Sequence, residues 1–186
     1  HLERLDLTNN QLEDTLPASL AQIVFMREFR ISNNLFTGPV PDLSTWSDLR
    51  LFDISSNDFS GGLPFLTAPD SIGTVFVQNN RFTSFPDLSG KIFTLDTVNV
   101  ERNNLGFASL EPNTNLTQLD YIPQDSLGQE QDTLLIDGNP IQIFRNVAGT
   151  ANVYHWLKDG APIDGTTNPS ALTDTYNIPS ASATDE

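Results

Sequence analysis

The sequence predicts a solenoid of short stacked coils, each carrying one parallel strand, followed by the opening strands of an all-β sandwich. Three observations lead there. An apolar pattern, LxxLxLxxNxL, recurs in register at a nearly constant step. In its five clear copies the apolar places hold only Leu, Ile, Val, Met or Phe. After residue 127 that period stops, and short alternating strands separated by tight-turn signals take over.

The clear copies begin at Leu2, Met26, Leu49, Ile72 and Leu95, in steps of 24, 23, 23 and 23 residues. Alternate residues of a strand point the same way, so the fourth and sixth places face inward and the eleventh closes the turn beneath them. A single coil cannot keep that face dry. Stacked coils share one continuous core. The ninth place reads Asn10, Asn34, Asn57, Asn80 and Asn103, an expected buried ladder whose amides satisfy turn backbone groups. The eleventh place reads Leu12, Phe36, Phe59, Phe82 and Leu105, which stacks three aromatic rings into an interior spine. A degenerate sixth copy starts 21 residues later at Leu116, with Leu119, Tyr121 and Gln124 in the Asn place; it reads as the end of the array.

On these residues the segment 1–127 resembles a leucine-rich-repeat protein. The second halves of the repeats, Thr15-Leu16-Pro17-Ala18-Ser19-Leu20, Thr37-Gly38-Pro39-Val40-Pro41-Asp42-Leu43 and Ser60-Gly61-Gly62-Leu63-Pro64-Phe65-Leu66, resemble the GxLPxxL subtype of plant receptor ectodomains and bacterial surface proteins. That resemblance implies a convex side of short strands, turns and 3₁₀ structure, which suits Pro- and Gly-rich segments. Repeats four and five depart from it, with a shortened Phe85-Pro86-Asp87-Leu88 and no such motif after Leu105.

A polar stretch from Gly128 to Asp132 marks the expected boundary of a second domain, 128–186. Strands are expected at Thr133–Ile136, Ile141–Arg145 and Val153–Lys158, with turns at Asp137-Gly138-Asn139 and Asp159-Gly160. The run Tyr154-His155-Trp156-Leu157-Lys158-Asp159-Gly160 resembles strand C and the following turn of an immunoglobulin-like domain, which makes Trp156 its core tryptophan. Tyr176-Asn177-Ile178 then resembles strand E, and the last strands of the sandwich are missing. The array opens inside a repeat and the sandwich stops short, so a larger polypeptide is expected at both ends.

Composition bounds the partners. The 186 residues carry 24 acidic against 9 basic side chains, a formal charge of −15, with 38% hydrophobic content and a mean hydropathy of −0.25. Such acidity repels phosphate backbones and anionic lipid, and no stretch nears the roughly 20 apolar residues of a membrane span. Nucleic acid and membrane insertion are therefore not expected. Cysteine is absent, which removes disulfides, thiolate nucleophiles and Cys-bearing zinc sites.

The inventory for catalysis is thin. Of two His, His1 opens the chain and His155 falls on the outward face of a strand; no metal-binding, phosphate-loop, dinucleotide or nucleophile-elbow motif is present. Neither enzyme activity, metal nor cofactor is expected. Asn115-Leu116-Thr117 is a glycosylation sequon.

Curvature puts the strands on the concave side, where outward residues meet a partner. The fifth column is Asp6, Arg30, Asp53, Phe76, Asn99 and Asp120; the third is Arg4, Glu28, Leu51, Thr74, Thr97 and Gln118. Phe76 and Leu51 form an apolar patch edged by Asp53, Gln78 and Asn99, with Arg30 further along the same column. The expected function is non-enzymatic recognition or adhesion, binding protein or glycan on an extracellular, bacterial surface or secreted protein. The alternative is a stalk or spacer in a larger adhesin or secreted enzyme.

Overall fold

A computed structural model describes residues 1–124, 138–145, 149–150 and 152–182. The chain divides into two compact units, His1–Leu127 and Gly128–Glu186. In the first, four coils carry a pair of strands, one per coil side, β1 (Arg4–Asp6) with β2 (Glu13–Asp14), β3 (Glu28–Arg30) with β4 (Leu35–Pro39), β5 (Leu51–Asp53) with β6 (Asp58–Gly61) and β7 (Thr74–Phe76) with β8 (Arg81–Phe82), and the fifth carries β9 (Thr97–Asn99). A short helix α1 (Phe107–Leu110) and the strand β10 (Leu119–Asp120) follow. The odd-numbered strands and β10 make a six-stranded parallel sheet in the order β1-β3-β5-β7-β9-β10, and the even ones a four-stranded sheet β2-β4-β6-β8. Strand neighbours in space are one repeat apart in sequence, which is what a solenoid requires.

Each coil turns out of its first strand through a left-handed residue directly before the ladder position: Asn9, Asn33, Ser56, Asn79 and Arg102, with φ between 50° and 58°. Asn tolerates that conformation better than most side chains, and three of the five are Asn. On the other side short strands and 3₁₀ turns at Ala18–Gln22, Pro64–Thr67, Ser89–Lys91 and Glu111–Asn113 return the chain. Gly38 sits in β4 at φ +73°, and a Cβ there would lie 2.9 Å from Thr15 Cγ2.

The core runs between the sheets. Phe36 and Phe59 stack at 6.0 Å and Phe59 and Phe82 at 6.5 Å, with ring planes within 15°. A second file joins Phe29 to Phe52 at 5.9 Å, flanked by Trp46 on Phe29 and Phe65 on Phe52. Trp46 is wholly buried, and its indole N–H donates to Leu20 O at 3.2 Å.

The ninth-place amides follow one geometry. Asn80 Nδ2 donates to Ile54 O, Val77 O and Gln78 O while its Oδ1 accepts the Phe59 N–H at 2.9 Å. Asn34, Asn57 and Asn103 repeat this with the carbonyls of their own turns and of the preceding coil. Asn34, Asn80 and Asn103 are buried and Asn57 is half-buried. Asn10 departs from the expected burial: it is exposed, and among the described residues its amide reaches only Leu7 O and Thr8 O, within its own turn, where the other ladder amides also reach a second coil. Leu12 is likewise exposed.

Gln124 extends the ladder into the sixth coil, accepting the Leu105 N–H at 3.1 Å and donating to Val100 O and Tyr121 O. The longer side chain reaches the same groups that Asn serves elsewhere. Gln124→Ala should leave the fold intact and cost about 1–2 kcal/mol locally. Hydrogen exchange at the Leu105 amide should accelerate while the Phe59 amide stays protected, and equal rates at Leu105 in both proteins would contradict the bond. Leu116 is buried and Leu119 half-buried, whereas Tyr121 is exposed.

In the second unit, β11 (Ile141–Phe144), β12 (Leu157–Lys158), β13 (Ala161–Pro162) and β14 (Thr175–Ile178) form two antiparallel pairs, β11 with β14 and β12 with β13. Trp156, expected as a buried core residue, is half-buried; its ring stacks on Tyr176 at 5.7 Å and its indole N–H donates to Thr173 O at 2.8 Å. The strand expected from Val153 is regular only at Leu157–Lys158, although burial alternates along it and His155 is exposed. Thr133–Ile136 and Asp137 lie outside the described residues.

Candidate functional site

The outward face of the six-stranded sheet is built by alternation: Val75 and Val77 enter the core, so Phe76 and Gln78 leave it. Strand register sets the neighbours. Arg30, Asp53, Phe76, Asn99 and Asp120 lie side by side across β3, β5, β7, β9 and β10. Glu28, Leu51, Thr74 and Thr97 form the parallel file. Leu51 therefore faces Thr74 directly and meets Phe76 on the diagonal. Phe76, Leu51, Asp53, Arg30, Gln78 and Asn99 are all half-buried.

The polar rim is already organised. Asp53 accepts Ser32 Oγ at 2.9 Å, Ser55 Oγ at 2.7 Å and the Ser55 amide at 3.1 Å. Arg30 is held 2.6 Å from Glu28, which also takes Arg4 at 3.2 Å, so Arg30 is an ion-pair member at the far end of the face. Asp6 accepts the Thr8 amide at 3.0 Å; that bond first, then the Thr8 hydroxyl and the Arg30 charge, hold its carboxyl below the ordinary value and ionised at neutral pH. Asn99 accepts the Glu101 amide at 3.0 Å and donates to the Glu101 carboxylate at 3.3 Å. Gln78 Oε1 is buried with no hydrogen-bond partner.

A seventh column, Thr8, Ser32, Ser55, Gln78 and Glu101, shares this face and was not among the columns read from the sequence. Backbone bonds from Asn33 to Ser55, Ser56 to Gln78 and Asn79 to Glu101 carry the register into it. The signal was there in the repeat, one alternation beyond the fifth place. Trp46 and Asn113, by contrast, sit in the variable half of the repeat. Asn113 bridges Leu88 N, Pro86 O and Ser109 O, which no period announces. No group of His, Asp and Glu suited to a metal occurs among the described residues. Asn115 is exposed in a turn.

A leucine-rich-repeat sequence profile matches residues 1–23. No curated protein matches the chain. Among solved structures, the plant peptide hormone receptor RGFR1 in complex with RGF2 superposes with TM-score 0.59 at 25% identity, over 67% of this chain and 21% of the receptor. A TDR receptor gives TM-score 0.59 at 28% identity over 66% and 22%. The ectodomain of the receptor kinase SOBIR1 from Arabidopsis thaliana gives 0.55 at 20% over 63% and 66%, a likeness of fold alone. This chain spans about a fifth of the length of the first two receptors and 66% of the third. With the repeat matched in sequence and the parallel coils shared with these structures, the repeat unit of this chain is a leucine-rich-repeat solenoid.

Proposed function

We propose that the chain is a non-enzymatic recognition module of an extracellular protein, binding a protein or peptide ligand along the concave six-stranded sheet. The observation that carries this is a half-buried aromatic, Phe76, in the middle of an outward sheet face whose polar groups are already held in fixed geometry. Rigid rims around an apolar anchor lower the ordering cost of binding. The superposable receptor RGFR1 is, by its description, a peptide hormone receptor in complex with RGF2, which supports a peptide as the class of ligand. Among the described residues no helix is long and apolar enough to cross a membrane.

Within the same reading, the LPxxL segments and the convex short strands and 3₁₀ turns support the GxLPxxL subtype. The second unit is read as part of an immunoglobulin-like sandwich. There the antiparallel pairing of β11 with β14 suits strands B and E, and Trp156 on Tyr176 suits its centre.

The test starts from a displayed random peptide library selected on the wild-type chain. Enriched peptides should bind Phe76→Ala roughly tenfold or more weakly, because a central aromatic anchor is worth that much. The urea midpoint of the variant should stay near wild type, since the ring is not in the core. Equal affinity for both proteins, or enrichment only of glycans on a parallel array, would remove the peptide reading.

A further inference from the structure

The charge of the concave face says what kind of ligand group would cover it. Both guanidinium groups in its three outward columns, Arg4 and Arg30, are taken by the single carboxylate of Glu28. From β5 to β10 those columns carry Asp53, Glu101 and Asp120 and no basic residue. Arg50 and Arg102 lie outside them, each next to the column at its own edge of the sheet.

Resting on the recognition reading above, we infer that the Phe76 patch receives a cationic side chain, arginine in particular, from an extended peptide ligand. Phe76 is in register with Asp53 on one side, and Gln78 with Glu101 on the other. Neighbouring strands lie about 4.8 Å apart, so a cation lying along Phe76 and Gln78 has a carboxylate one strand away on each flank. The ring face itself attracts a cation through its quadrupole.

Geometry favours the planar group over a point charge. Asp53 is held by Ser32 and Ser55 and Glu101 by Asn99, so both carboxylates are fixed before the ligand arrives while keeping lone pairs to offer. The Gln78 carbonyl oxygen has no donor and is shut from water. Turning that amide outward breaks no bond through its oxygen and brings an acceptor to a group with five N–H donors in a fork. A neutral side chain would bury the same carboxylates without compensation, and an acidic one would be repelled, so the patch selects for positive charge.

The experiment is a titration of the ¹⁵N-labelled full chain with a capped pentapeptide carrying one central arginine between glycines, beside otherwise identical peptides with glutamine or glutamate at the centre. The arginine peptide should shift Phe76, Gln78 and Asn99 resonances and bind several-fold more tightly than the glutamine peptide. Its affinity should fall roughly tenfold in Phe76→Leu and a few-fold in Glu101→Gln. Both variants should keep the wild-type urea midpoint, which separates lost binding from lost fold. Arginine and glutamine peptides that shift the patch alike would overturn this inference and leave concave recognition standing. Arginine-peptide shifts away from the patch and indifferent to Phe76→Leu, or no shifts at all, overturn it too. If library-selected peptides also leave the concave strands unperturbed, the recognition reading falls with it.

Discussion

Asn80→Ala should lower stability by about 3–5 kcal/mol, measured as a shift of the urea midpoint at unchanged slope. The side chain is buried and makes four hydrogen bonds, three given to carbonyl oxygens of two coils and one accepted from the Phe59 amide. Alanine leaves those backbone groups buried and unpaired, and each unsatisfied group costs about 1–3 kcal/mol before water or relaxation recovers part of it. The damage lands between the third and fourth coils, so amide protection should drop on both sides of the break. Asn80→Asp should be no better, because a carboxylate cannot donate to three carbonyls. Asn10→Ala is the control: the same repeat position, exposed, should cost less than about 0.5 kcal/mol. Equal costs at positions 10 and 80 would mean that the ladder does not hold the coils together.

Phe59→Ala should cost a similar amount, about 3–5 kcal/mol, through a different mechanism. The ring is fully buried and stacked on both faces, by Phe36 and Phe82. Removing it opens a cavity between coils that are pinned to one another where Asn57 Oδ1 accepts the Phe36 N–H and Asn80 Oδ1 accepts the Phe59 N–H, so the gap cannot close by sliding one coil. Leucine at the same place fills much of the volume and should cost about 1.5 kcal/mol or less. A Phe59→Ala protein within about 1 kcal/mol of wild type would show that the coils can close over the lost ring.

The two effects draw on one geometry. The Asn oxygen accepts from the aromatic residue of the preceding coil, so the polar ladder and the ring spine are bonded position by position. That coupling predicts non-additivity: the double variant should lose less than the sum of the two single losses, because the same contact between coils has already been broken.

The strand positions, the inward file of each coil and the location of the first turn were legible because they depend on near neighbours in sequence and on a period that repeats. Residues outside that period were not. Trp46 closes the core from the convex half, and Asn113 mimics the ladder on the opposite side, yet both stand in segments whose length and composition change from repeat to repeat. Glu101 was hidden for a simpler reason, that the seventh column reads as ordinary polar surface until register puts it beside Gln78. Asn10 shares its sequence pattern with Asn80 and not its environment, since burial of a repeat residue is conferred by the coil beside it.

By itself the sequence determined the coil: which residues turn inward, where the chain leaves the strand, and that one coil must lean on another to bury its apolar edge. Only the tertiary structure decided which outward residues meet across strands, that Arg30 is spent on Glu28 while Asp53 lies beside Phe76 and Glu101 beside Gln78, and that Gln124 can stand in for Asn. The division has a physical cause. Alternation and periodicity act along the chain over a few residues, whereas pairing between side chains 21 to 24 positions apart exists only once the coils are stacked.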